Sequence, residues 1–133
     1  MASIFSRIVA GEIPCHKVAE DDRFLAFLDI SPLAEGHTLV IPKHETDYIF
    51  DLVDEELAAL IIFSKRVALA IKKNIVCNRI GVCVIGLEVP HVHIHLIPMN
   101  QVSDMNFANP KLEIKQEVLR VLSQQIKSTF DNP

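Results

Sequence analysis

Cysteine is scarce and unpaired in this chain. Cys15, Cys77 and Cys83 are the only three, odd in number and irregularly spaced, so neither a disulfide framework nor a paired-thiol zinc motif is apparent. Free thiols, buried or half-buried, in a cytosolic protein are the expectation. Positive charge is short as well: 13 Lys and Arg against 17 Asp and Glu leave a formal charge of −4. That balance argues against a partner approached through a nucleic-acid backbone. No apolar run reaches membrane-spanning length and no stretch reads as a signal peptide, so a cytoplasmic chain with no membrane partner is expected. Repeats, low-complexity tracts and linkers are also lacking. What remains is 133 residues, 50% of them hydrophobic. That suits one domain over 1–133 with a substantial core.

Histidine, by contrast, is concentrated. Three of the six histidines fall in His91-Val92-His93-Ile94-His95-Leu96-Ile97-Pro98, where imidazole and branched apolar residue alternate until a proline stops the run. Period two predicts a β-strand with Val92, Ile94 and Leu96 facing a core and the three imidazoles on the opposite face. Three readings compete for that face: a solvated strand surface, a metal site, or imidazole chemistry on a phosphate. A strand rises ~3.3 Å per residue, which puts His91 and His95 roughly 13 Å apart at their backbones. Zinc–nitrogen bonds of about 2 Å make one ion shared by all three awkward. An unperturbed imidazole, with a pKa of about 6.5, is mostly neutral at pH 7. It can therefore attack phosphorus while its neighbours donate and orient.

The rest of the chain supplies a frame for that strand. Ser3 caps a short helix running to about Ala10, with Gly11 as its stop and Ile4, Phe5 and Ile8 on one face. Strands are expected over 16–20, 24–29, 37–42 and 80–85, with the histidine strand fifth. Asp54-Glu55-Glu56 opens a long helix whose apolar stripe is Leu57, Leu60, Ile61, Ser64, Val67, Ala68 and Ile71, with Lys72 and Lys73 in its last turn. A short helical turn precedes it at Thr46 or Asp47. Asn109-Pro110 reads as the start of a last helix, to about Thr129, with Leu112, Val118, Leu119, Leu122 and Ile126 on its apolar face. The fold class is α+β: about five antiparallel strands, one long helix on the apolar face opposite the histidines, a short N-terminal helix and an added C-terminal helix. The core runs over about 4–98 and the helical extension over about 109–130.

With its order of blocks the chain resembles the histidine triad (HIT) family. They are Phe5, Gly11-Glu12-Ile13-Pro14, Glu20-Asp21-Asp22, Ala26 to Pro32, Gly36 to Lys43 and the His-x-His-x-His run. It looks most like the small bacterial members related to purine nucleoside phosphoramidases. The resemblance implies hydrolysis or transfer at the α-phosphorus of a nucleotide joined to a leaving group, through a covalent nucleotidyl-histidine on His93. His95, His91 and His37 would orient the ring and donate to phosphate oxygens. The resemblance places the ribose hydroxyls on Asp29 and the purine among Ile4, Phe5, Ile8, Phe27, Leu28 and Ile30. Glu88 and Val89 fall in the phosphate-side loop, where backbone N–H groups from Gly86 onward suit an anion. A homodimer with a continuous larger sheet is also implied.

Departures from the family pattern are confined to two places. Relatives often carry Cys-x-x-Cys near the N-terminus as part of a zinc site, where this chain has Ser3-Ile4-Phe5-Ser6. Hydroxyls are poor zinc ligands, so no metal and no cofactor is expected. The loop before the triad is short, with Leu87 where glutamine is common and Glu88 in place of a hydroxyl residue. Two other functions stay open: a nucleotide-binding regulatory protein with little turnover, which the altered loop suggests, and a zinc protein using His91 or His95 with His93, since a His-x-His pair can grip one ion.

Overall fold

Five strands form one antiparallel sheet in the order β1-β2-β3-β5-β4 in the computed structural model, which describes residues 2–133. The strands are β1 (Lys17–Glu20), β2 (Phe24–Leu28), β3 (Thr38–Pro42), β4 (Arg79–Cys83) and β5 (Ile94–Met99). Three helices accompany them, α1 (Ile4–Val9), α2 (Asp54–Asn74) and α3 (Gln116–Asp131), with single turns of 3-10 helix at Ile49–Asp51 and Val102–Met105. The α+β architecture read from the sequence is the one observed.

Local chemistry accounts for the joints. Asp21 Oδ1 accepts from the backbone N–H of Arg23 and of Phe24, both at 2.8 Å, which closes the β1–β2 hairpin. The Ser3 hydroxyl accepts from the Ser6 N–H at 3.0 Å and caps α1. Every residue of β2 is buried, because both faces of the sheet centre are covered. Phe24, Ala26 and Leu28 point toward α2 and α3, whereas Leu25 and Phe27 point the other way, onto Phe5 and Ile8 of α1. The histidine face is therefore apolar over β2 and β3 and turns polar only beyond them.

Two helices, not one, cover the opposite face. α2 buries Leu60, Phe63, Ser64, Val67, Ala70 and Ile71, while Ile61 stays 47% exposed. The true stripe thus lies one position off the sequence reading on one flank, recruiting Phe63 and Ala70. α3 buries Leu119, Leu122, Ile126 and Phe130 against α2 and β1. It begins at Gln116, not at Pro110. The Leu112 N–H is captured by the Pro32 carbonyl at 2.8 Å, within a segment over 110–115 that is neither helix nor strand; Leu112 there and Val118 on α3 are both exposed. A tertiary hydrogen bond has overridden a favourable cap. Phe63 links the layers, its ring centroid 5.4 Å from Phe24 and 5.5 Å from Phe130. Phe63→Ala should cost about 3–5 kcal/mol in urea unfolding; a loss below about 1 kcal/mol would mean that these layers are not packed as described.

The histidine strand differs from its sequence reading at both ends. Its ladder starts only at Ile94, because the Val92 N–H is taken by the Thr46 carbonyl at 2.7 Å and the His91 N–H by the Val89 carbonyl at 2.8 Å. Alternation of side chains still holds across the lead-in, since Val92, Ile94 and Leu96 all reach the helix-side core. Nor does Pro98 end the strand, since it pairs with Ile80 and Met99 with Arg79. On its other side β3 has already ended at Thr38, opposite Leu96, so the missing N–H of Pro98 breaks no ladder bond.

Candidate active site

Alternation along two adjacent strands assembles the site. His95 lies opposite Leu39 in the β3–β5 ladder. His37, two residues earlier, faces the same side as Leu39 and so meets His95 diagonally. His91 and His93 enter on the lead-in just before β5. All four rings are buried, with His93 and His95 each 7% exposed.

Hydrogen bonds fix which nitrogen of each ring carries the proton. The Leu33 N–H donates to His37 Nδ1 at 3.0 Å, so the proton of neutral His37 is on Nε2. That N–H donates to His95 Nδ1 at 3.0 Å, which leaves His95 with Nε2–H directed outward. His93 donates Nδ1–H to the His91 carbonyl at 2.7 Å, so the neutral form of this ring carries its lone pair on Nε2. The lone-pair nitrogen of His93 and the N–H donor of His95 thus belong to neighbouring rings, their centroids 5.0 Å apart. Burial pushes His37 down to about 3 and His95 down to about 4. His91 is lowered for the same reason. His37, His91 and His95 are neutral at pH 7.

Asp29 closes the far side. Its Oδ1 accepts from the Ser31 N–H at 2.8 Å, and its Oδ2 lies 3.7 Å from His37 Nε2. Burial raises its carboxyl above the ordinary value. Single ligand atoms of Asp29, His37 and His95 lie within 4.8 Å of one another. The two imidazole nitrogens of that trio that face each other are already joined by a hydrogen bond, and the other His37 nitrogen is taken by Leu33.

The remaining sequence candidates divide by position. Phe5 sits edge-on to His93 at 5.0 Å and touches Phe27 at 5.7 Å, with Ile8 and Val89 in the same apolar cluster. Ile4 and Ile30 are not part of that cluster and stay 49% and 65% exposed. Leu28 does not join it. Next to Phe27 on a strand of period two, its side chain passes through the sheet into the helix-side core. Glu88 is on the exposed rim.

A cavity of about 230 Å³ opens beside the rings, with His93 and His95 as its floor, Ile85, Leu87 and Val89 as its wall and Glu88 at its edge. A neighbouring hollow of about 400 Å³, flanked by Tyr48, Phe50 and Val84, also reaches His93. Phe107 closes the first cavity, its ring 4.9 Å from His95 and 6.2 Å from His37. The sequence reading missed it. Phe107 lies in an aperiodic segment, and only the strap from β5 to α3 returns it to the histidines.

Comparison with known proteins places the chain among relatives. A family model described as HIT domain matches residues 10–102. The adenosine 5′-monophosphoramidase of Schizosaccharomyces pombe is 38% identical over 132 residues, covering 96% of this chain and 98% of that protein. Among solved structures, a HIT-like protein from Bartonella henselae, described as involved in cell-cycle regulation, superposes with a TM-score of 0.82 at 32% identity, covering 96% of this chain and 95% of its own. A zinc-bound histidine triad family protein from Mycobacterium smegmatis gives 0.83 at 26% identity, covering 98% and 94%.

Proposed function

The chain belongs to the histidine triad family, and on that premise we propose that it is a hydrolase or transferase releasing a nucleoside monophosphate from a leaving group. One observation carries the reading most directly: the His91 carbonyl holds Nδ1–H of His93, so the opposite nitrogen meets substrate as a lone pair. In the proposed sequence His93 Nε2 bonds to the α-phosphorus as the bond from phosphorus to the leaving group breaks. Water then attacks the nucleotidyl-histidine, and the nitrogen–phosphorus bond breaks to give the monophosphate. Nε2–H of His95 donates to the oxygen on which charge builds, and His37 holds His95 in that tautomer. The 38% identical yeast relative that bears the name of a monophosphoramidase supports the substrate class.

The finer assignments belong to the same proposal. Phe5, Ile8 and Phe27 offer apolar contact to a purine, and Asp29 accepts from ribose hydroxyls. Asp29→Ala should weaken binding of a ribonucleotide by roughly 1–3 kcal/mol and that of an analogue lacking those hydroxyls by much less; equal losses for both would remove Asp29 from the site. Beside the phosphate, Leu87 offers no hydrogen bond and Glu88 only accepts, which disfavours anionic leaving groups. An amine fits better when its nitrogen is already protonated in the bound substrate, so that it departs neutral and carrying N–H groups for which Glu88 is an acceptor. Turnover of adenosine phosphoramidate is expected to exceed that of a dinucleoside polyphosphate, and the reverse order would refute this account of the loop.

A homodimer and a cytoplasmic location complete the proposal. β4 is one of the two outer strands of the sheet, β1 being the other, with Val82 58% exposed, and α2 leaves Ile61, Ile62 and Leu69 uncovered. Apolar groups on an edge strand favour pairing with a second copy, which sedimentation would show as two chains per particle. No helix among the described residues is long and apolar enough to cross a membrane.

A further inference from the structure

Behind the reacting ring lies a second set of polar groups that the chemistry above does not use. His91 is fully buried, and its ring is held at both nitrogens. Nε2–H donates to the Pro42 carbonyl at 2.8 Å, and Nδ1 accepts from the Ser3 hydroxyl at 2.8 Å. Glu45 Oε1 accepts from the Ser3 N–H at 2.6 Å and from the Ser6 hydroxyl at 2.8 Å. Those two bonds hold the Glu45 carboxyl down at about 2, so it is ionised at neutral pH. Every donor in the set meets an acceptor, and the His91 backbone carbonyl that ends it is the one that holds His93.

Ser3 and Ser6 occupy the positions where the family resemblance expects two cysteine ligands of zinc. They do not fit that role. Neither hydroxyl is a good zinc ligand, and both protons are committed, one to His91 and one to Glu45. We propose that Ser3, Ser6 and Glu45 instead form a metal-free clasp that holds His91 and, through its carbonyl, the ring of His93. Ser3 and Glu45 are then positioning residues for the reaction, an inference that rests on His93 as nucleophile. The clasp also ties α1, and Phe5 with it, to the chain between β3 and α2.

Ring-proton NMR of 15N-histidine-labelled, substrate-free protein, read together with steady-state kinetics, tests the clasp. Native His91 is expected as the Nε2–H tautomer and His93 as the Nδ1–H tautomer. Ser3→Ala should speed exchange of the His93 ring proton and lower kcat roughly tenfold, with KM within about twofold. Ser3→Thr keeps hydroxyl and cap and should restore both readouts. A purely structural role predicts lower thermal stability with native kcat and ring signals, and that result overturns the proposal. Should Ser3→Ala not fold, Glu45→Ala at its exposed position decides by the same readouts, unchanged values overturning the clasp. Stoichiometric zinc in protein grown with added zinc would overturn it as well. Failure of the nucleophile assignment is separable: His93→Ala would then retain turnover, whereas the ring-proton measurements need no substrate.

Discussion

His93→Ala should lose on the order of 10³-fold or more in turnover while still binding nucleotide. The size of the effect follows from what that ring alone supplies. His95 and His37 keep their mutual hydrogen bond and their neutral state in the variant, because neither depends on His93 for a partner. The apolar contacts of Phe5 with Phe27 also remain. What disappears is the ring at the cavity floor, and with it the proposed covalent route. Turnover within about tenfold of native, with binding intact, would refute the assignment of His93 as nucleophile.

Acid should destabilise the fold well before ordinary carboxylates protonate. His37 and His95 titrate at about 3 and about 4 when folded, against about 6.5 in an unfolded chain. As pH falls below 6.5 the unfolded state takes up protons that the folded state refuses. Stability is therefore full above 6.5 and is lost progressively down to the folded values, at about 1.4 kcal/mol per pH unit for each ring. Asp29 acts in the opposite direction, since its raised pKa lets the folded state bind a proton first. The net loss between pH 6.5 and 4.5 should still be several kcal/mol. Urea midpoints measured at half-unit steps would show it, and a flat profile over that range would contradict neutral, buried rings.

Period two made much of the site legible. Alternation at His91, His93 and His95 fixed the shared face, and the same rule put Leu96 and Val92 in the core. Applied to Phe27 and Leu28 together, it also excludes one of that pair from any common face, which the residue-by-residue assignment overlooked. The Ser3 cap and the acidic start of α2 were readable because capping needs only local groups. Features set by distant partners were not. Nothing near Asn109 signals that Leu112 will bond to Pro32, and nothing near Glu45 signals Ser3, 42 residues away. Phe107 reaches His95 by the same kind of tertiary return. The C-terminal helix was correctly expected to be amphipathic, yet only packing shows that it shields β1 alongside α2.

The most direct measurement is to trap the intermediate. Protein mixed with excess adenosine phosphoramidate, quenched during turnover under conditions that preserve a nitrogen–phosphorus bond and digested, should yield one peptide carrying an added adenylyl group. Fragmentation should place that group on His93, and the His93→Ala chain should carry none. An adduct on another histidine, or rapid turnover with no adduct at any time point, would contradict a mechanism through nucleotidyl-His93.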